Sequence, residues 1–331
     1  MFQATSKRPS KLSALLMVGM ALSGCQRLSS NSTTSASSGI VNGQLATDAD
    51  VAPQGLAESV VVIEANIKPQ GMALCSGTLI SPQIVLSAGH CIPDGAVPAD
   101  IVVGLHVLNG FAPTQGPRVS GYHVKAFIVN PNFSMTSGTS KQQNDISLLL
   151  LVKPVPAGTR IAQLPASSFS LDAINSAVAI GYGQSDDRHS ATEDQTGAGV
   201  LRYTSFASAK FGLLGTDANV PASMQNMIAA IADTTSVCHG DSGGPLMAAT
   251  NNVSQNMIVG INDMVLPNYA GQEGTDYQAA EQAGTAAAMD GFYKKYPDAS
   301  ICIGGYNIFV NVAAQLDWIN QTMQTLLKQA N

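Results

Sequence analysis

The chain has 331 residues, 45% hydrophobic and only 11% charged, enough apolar material for a sizeable core and too much for a disordered polymer. Its formal net charge is −6, and no cluster of Lys and Arg occurs beyond the first residues. That distribution excludes a nucleic-acid-binding face and a nucleic acid partner.

The amino terminus sets Lys7, Arg8 and Lys11 ahead of an apolar stretch from Leu12 to Leu22, the basic-then-apolar order of an export signal. The stretch is too short for a stable bilayer span. It ends Leu22-Ser23-Gly24-Cys25, which resembles the bacterial lipoprotein cleavage box. That resemblance makes residues 1–24 a signal peptide and Cys25 the acylated first residue of the mature chain; ordinary signal cleavage beside a stray cysteine is the bland alternative. Gln26, where inner-membrane retention uses Asp, favours the outer membrane. The expected location is therefore an outer-membrane lipoprotein or the periplasm, with lipid on Cys25 as the sole membrane contact. Residues 25–39 are rich in Ser, Thr and Asn and read as a flexible tether, which leaves residues 40–331 as the folded domain.

From Ile40 the pattern is all-β. Short β-rich runs cover Ser59 to Ile67, Ser76 to Ile80, Ile84 to Ser87, Ile101 to Leu108, Tyr122 to Val129 and Ile146 to Val152. A second set covers Ala177 to Tyr182, Val200 to Tyr203, Pro245 to Met247, Gln255 to Ile261 and Ile308 to Val312. Leu316, Ile319, Met323 and Leu326 then form one apolar helical stripe suited to packing on the β structure. Gln184 to Gly199 and Leu266 to Ser300 read as polar, Gly- and Ala-rich surface loops, the second equally a substrate-restricting overhang or a merely tolerated insertion.

Three segments carry chemistry. Ser87-Ala88-Gly89-His90-Cys91 supplies an imidazole, and Asn144-Asp145-Ile146 supplies a carboxylate at the mouth of the apolar run Ser147 to Leu151. Cys238-His239-Gly240-Asp241-Ser242-Gly243-Gly244-Pro245 exposes a serine hydroxyl on a glycine-rich backbone whose amides can face incoming negative charge. An ordinary turn is the bland alternative for that string taken alone. A serine hydroxyl becomes a strong nucleophile when an imidazole takes its proton during attack. The order His, Asp, Ser excludes the subtilisin and α/β-hydrolase arrangements. With Gly39-Ile40-Val41-Asn42-Gly43, Leu74-Cys75-Ser76-Gly77-Thr78-Leu79-Ile80 and Leu316-Asp317-Trp318-Ile319, the chain resembles the chymotrypsin-like (trypsin-like) serine proteases from Ile40 to about Asn320.

The resemblance implies two six-stranded antiparallel β-barrels, a C-terminal helix and a cleft with His90 and Asp145 on one side and Ser242 on the other. Ser242 is the expected nucleophile of a serine endopeptidase, His90 its base, Asp145 the group that orients the imidazole, and the N–H groups of Gly240 and Ser242 the oxyanion site. Cleavage before Ile40 is expected to free an ammonium that pairs with Asp241 and, by removing Cys25, to release the enzyme from lipid. Ser38-Gly39 lacks the basic residue that trypsin-like activators recognise, so the activating protease is not identified. Ser236 and Asn307 fall at the specificity pocket, whose neutral floor disfavours Lys and Arg and suits small or neutral side chains. Asn262-Asp263-Met264-Val265 replaces the usual Ser-Trp-Gly rim, and a second carboxylate at Asp263 beside Asp145 is electrostatically unfavourable, which argues against that register.

Five cysteines leave an odd one unless Cys25 carries lipid, and the remaining four allow three pairings. The resemblance selects Cys75 with Cys91 and Cys238 with Cys302. It implies a protein or peptide substrate and neither metal nor organic cofactor; His106, His123, His189 and His239 lack metal-site spacing. The rival readings are a catalytically silent double-barrel binding protein and an esterase using the same nucleophile.

Overall fold

In the computed structural model the described residues are 40–46, 55–67, 71–105, 121–133, 142–185, 198–215, 220–249, 256–283, 285–300 and 302–330. The expected signal peptide, the tether, Cys25, His106 and His189 lie outside them.

Runs of Val, Ile and Leu bounded by turn residues build the first half. After the two-residue β1 (Gln44–Leu45) come β2 (Val60–Ile67), β3 (Gly71–Leu79), β4 (Ile84–Ser87), β5 (Ile101–Leu105), β6 (Tyr122–Val129) and β7 (Ser147–Leu151). Strands β2 to β7 close into a barrel in the order β2-β3-β4-β7-β6-β5, and every neighbouring pair is antiparallel. Closure leaves this half without an exposed edge. Every residue of β4 and β7 is buried, which explains why both read as continuous apolar runs rather than alternating ones.

The second half contains β8 (Ser176–Gly181), β9 (Arg202–Ala207), β10 (Phe211–Leu213), β11 (Ile228–Ile231), β12 (Pro245–Ala249), β13 (Ile258–Leu266) and β14 (Tyr306–Asn311). Their order is β1-β9-β8-β12-β13-β14-β11-β10, an eight-stranded sheet in which the short β1 and β10 flank six principal strands. β10 and β11 fall outside the β-rich runs of the sequence. The Ala-rich Ile228–Ile231 has little β signature of its own; pairing with β14 makes it a strand.

The segment expected as a loop over Leu266 to Ser300 is instead largely helical: α1 (Gly271–Ala283) and α2 (Ala286–Lys295) form a hairpin. Ala, Gln and Glu are strong helix formers, and Thr285 caps α2 by accepting from the Ala288 N–H at 3.2 Å. Its small core is aromatic. Phe292 has the rings of Tyr296, Tyr293, Tyr269 and Tyr277 centred 5.0, 5.1, 5.3 and 5.4 Å away. Tyr296 donates to Asp276 at 2.6 Å, and Lys295 pairs with the same carboxylate. Helix α3 (Leu316–Leu327) buries Ile319, Thr322 and Leu326 and returns to pack on β6 and β7 of the first barrel.

Because the aromatic cluster is separate from the barrel core, Phe292→Ala should open the hairpin locally. Hydrogen exchange is expected to rise at least tenfold across residues 271–295 while exchange in β7 stays unchanged.

Candidate active site

His90 follows β4 and Asp145 precedes β7, and these two strands pair directly, so adjacent barrel strands deliver both groups to one rim. Ser147 Oγ donates to the Ala88 carbonyl at 2.7 Å and ties the two approaches together. Asp145 is fully buried and holds His90 twice: the His90 backbone N–H donates to Oδ1 at 2.7 Å, and ring Nδ1 lies 2.5 Å from Oδ2. Burial raises the Asp145 pKa, but the hydrogen bonds and charge of His90 outweigh it and hold the carboxyl below its ordinary value. The close approach requires Gly89, where an added Cβ would stand 2.9 Å from Asp145 Oδ1 and from the Phe133 ring.

Ser242 comes from the other half, on the turn between Cys238 and β12, and Ser76 of β3 holds that turn in place. Its N–H donates to the Ser242 carbonyl at 2.8 Å, and its Oγ donates to the Gly240 carbonyl at 3.0 Å while accepting from the Tyr182 N–H at 2.9 Å. Gly243, at φ 78°, admits this contact: a Cβ there would lie 2.0 Å from Ser87 Oγ and 2.4 Å from the Ser76 carbonyl. Cys91 Sγ, one residue beyond His90, comes within 3.5 Å of the Ser242 carbonyl oxygen. Among the described residues no hydrogen bond joins Ser242 Oγ to the His90 ring, and no backbone bond engages the N–H of Gly240 or Ser242. Both disulfides brace these segments: Cys75–Cys91 ties β3 to the histidine, and Cys238–Cys302 ties the serine turn to the segment entering β14.

Asp241 points away from the cleft. Its carboxylate accepts from the Gly183 N–H at 2.7 Å and the Cys238 N–H at 2.8 Å, with no cation among the described residues to balance it. Burial pushes its pKa up to about 7 despite those two donors. Ile40 is fully buried nearby in the second half, at φ 33°, and Val41 bridges to Ser236. The structure does not bring the Ile40 nitrogen to Asp241 in this uncut chain.

Ser236 and Asn307 are fully buried and bonded to each other: Asn307 Nδ2 donates to Ser236 Oγ at 2.6 Å, and its Oδ1 accepts from the Val237 N–H at 3.2 Å. Val265 sits directly opposite Asn307 in the β13–β14 pair. Asp263 does lie beside Asp145, despite the repulsion that argued against this register. The pairing of β13 with β14 slips between Asn262 and Met264, so Asp263 is the extra residue of a β-bulge, which re-aims its side chain. His90, Asp145 and Asp263 place side-chain ligand atoms within 4.8 Å of one another. Burial first, and the Asp145 charge second, push the Asp263 pKa well above the usual carboxylate range.

Reading the sequence alone missed the clamp role of Ser76, visible there only as part of the Leu74 to Ile80 strand motif. It also missed the Gly181-Tyr182-Gly183 seat of Asp241, whose flanking glycines were the available signal: a Cβ at either would meet the Asp241 carboxyl within 2.6 Å.

Known proteins resemble this chain in sequence and in fold. The Trypsin family model matches residues 50–281, more than half of the chain. The chain belongs to the Trypsin family. It is a serine endopeptidase by that membership, and its relatives fit. The fibrinolytic enzyme, isozyme C, of Lumbricus rubellus is 29% identical over 211 residues, covering 61% of this chain and 81% of that protein. Brachyurin of Leptuca pugilator is 30% identical over 185 residues, covering 53% and 71%. The solved structure of HL collagenase superposes with a TM-score of 0.54 at 21% identity, covering 86% of this chain and 99% of that one, a likeness of fold. The two disulfides of this Trypsin-family chain suit an oxidising, exported setting.

The raised pKa of Asp241 has a definite sign. Between about pH 4 and 7 the folded chain keeps a proton that the unfolded chain has released, so stability falls as pH rises through that window, by about 1.4 kcal/mol per unit. Chemical denaturation of the uncut chain should show it losing about 2 kcal/mol more between pH 5 and 7 than Asp241→Asn loses.

Proposed function

We propose that Ser242, His90 and Asp145 form the catalytic triad of this endopeptidase and that cleavage before Ile40 switches it on. The observation that carries the reading is the double hold of Asp145 on His90, which fixes the ring's tautomer and orientation. With Nδ1–H directed to Asp145, Nε2 is the free acceptor for the Ser242 proton as Oγ attacks the scissile carbonyl. The resulting imidazolium is stabilised by Asp145 and then protonates the leaving amine; water repeats the sequence to release the acyl group. The N–H groups of Gly240 and Ser242 are the donors for the developing oxyanion, each contributing about 3–4 kcal/mol at the transition state when fully aligned.

Two features support activation at Ile40. Asp241 is buried with no countercharge among the described residues, so an ammonium brought beside it would stabilise its ionised form strongly. Ile40 is a β-branched residue at φ 33°, a conformation its class rarely adopts, and hydrolysis of the bond to residue 39 removes the constraint that defines that torsion. An Ile40 ammonium drawn to Asp241 would release the Gly183 and Cys238 N–H groups and reset the turn carrying Gly240 and Ser242. With lipid on Cys25, the same cut would free the enzyme from the membrane. Among the described residues no helix is long and apolar enough to cross a bilayer.

For specificity, the Asn307 carboxamide occupies the space beside Ser236, and Val265 faces it, so the pocket suits small, neutral side chains.

The reading is tested on the full chain carrying an engineered protease site that ends at residue 39. After cutting, a serine-directed fluorophosphonate should label Ser242 and casein should be cleaved, with activity lowered at least a thousandfold in Ser242→Ala. Labelling of the uncut chain at the full rate would exclude the activation step. On chromogenic peptides, Ala or Val before the scissile bond should be preferred over Phe, Lys or Arg, and Asn307→Gly should raise kcat/KM for Phe about tenfold or more relative to Ala.

A further inference from the structure

We propose that Asp263 is a positioning residue that stays a neutral carboxylic acid and donates its proton to Asp145, fixing from behind the carboxylate that orients His90. The proposal rests on the triad reading above and adds to it a side chain that the triad does not require.

Three observations converge. The β13 bulge falls at Asp263, so the ladder itself turns this one side chain out of the strand's alternation and toward Asp145. Asp263 is 7% exposed, and its Oδ2 is buried with no hydrogen-bond partner among the described residues. A buried oxygen left in that state is destabilising, and more so when charged. Asp145, fully buried within 4.8 Å, is the acceptor at hand. One proton on Asp263 resolves both the orphan atom and the repulsion between two adjacent carboxylates, which cannot both ionise cheaply in a buried site.

The proton has a preferred owner. Asp145 already receives two donors from His90, so its ionised form is the stabilised one; Asp263 has no such pair. The directions agree, with the Asp145 pKa lowered and the Asp263 pKa raised. The titratable groups facing Asp263 are Asp145, from the segment before β7, and His90 beyond it. Neighbouring β12 carries no charged residue, and β14 carries only Tyr306, which pairs at the far end with Leu266. In the serine turn, Asp241 is engaged by Gly183 and Cys238, and His239 is exposed. Among the described residues no Lys or Arg forms an ion pair with Asp263.

The role predicts a pattern that mere packing would not produce. In the cut full chain, Asp263→Asn keeps a donor of similar shape and should retain kcat within about threefold. Asp263→Ala should lower kcat about 10- to 100-fold with KM nearly unchanged, matching loss of a hydrogen bond to a charged group. Wild-type kcat should fall on an alkaline limb as Asp263 ionises and ceases to donate, and Asp263→Asn should lack that limb. Infrared difference spectra, wild type against Asp263→Asn, should contain a protonated carboxyl C=O stretch at neutral pH, measurable even in the uncut chain should Asp263→Ala fold poorly. Absence of that band overturns the proposal, as does an Asp263→Asn enzyme as impaired as Asp263→Ala, or an unimpaired Asp263→Ala. Failure of wild-type protein to label with the fluorophosphonate overturns the triad reading, whereas the infrared band reports on the Asp263 proton alone.

Discussion

Ser76 is the hinge pin of the site. It belongs to the first barrel, yet its N–H and Oγ both donate into the turn that carries Ser242, and its carbonyl accepts from Ser87 Oγ at 2.8 Å beside the histidine segment. The two halves have separate strand ladders, so their relative position depends on a few such cross-links. The Cys75–Cys91 bridge locks the residue next to Ser76 to the residue after His90, which makes the clamp and the imidazole parts of one rigid unit. From the carboxyl end, α3 packs on β6 and β7, and Gln315 donates to the Gln143 carbonyl at 2.7 Å beside the Asp145 segment. His90, Asp145 and Ser242 are thus each anchored by an element remote from them in sequence.

Three aspartates are buried around this unit, and burial penalises the charge of each. Asp145 remains ionised because an imidazole and a backbone N–H converge on it. Among the described residues Asp241 has two backbone donors but no cation, which is too little to restore an ordinary carboxylate. Among the described residues Asp263 has neither, and burial together with the Asp145 charge pushes its pKa well above the usual carboxylate range. Three chemically identical side chains are thus held in three different electrostatic settings.

Much of the site was readable from local chemistry. Glycine at 89 and 243 is demanded by contacts that no other residue admits, and those glycines sit in the same short strings as His90 and Ser242. The buried runs Ile84 to Ser87 and Ser147 to Leu151 carry so strong an apolar signal that their strands are recognisable without tertiary information. Weak signals failed. The β11 strand is Ala-rich and exists through its partner, and the 271–295 hairpin draws its order from aromatic residues that converge only after both helices form.

By itself the sequence determined the family, the all-β class and the three reactive side-chain types, because these follow from short-range patterns: strand periodicity, glycine placement and the order of His, Asp and Ser. Tertiary structure decided where Asp263 points, what fills the space beside Ser236 and which groups meet the Asp241 carboxylate. Those outcomes depend on a one-residue bulge and on side chains separated by tens to hundreds of positions, and in a buried site it is such distances, rather than residue identities, that set the charge each group carries.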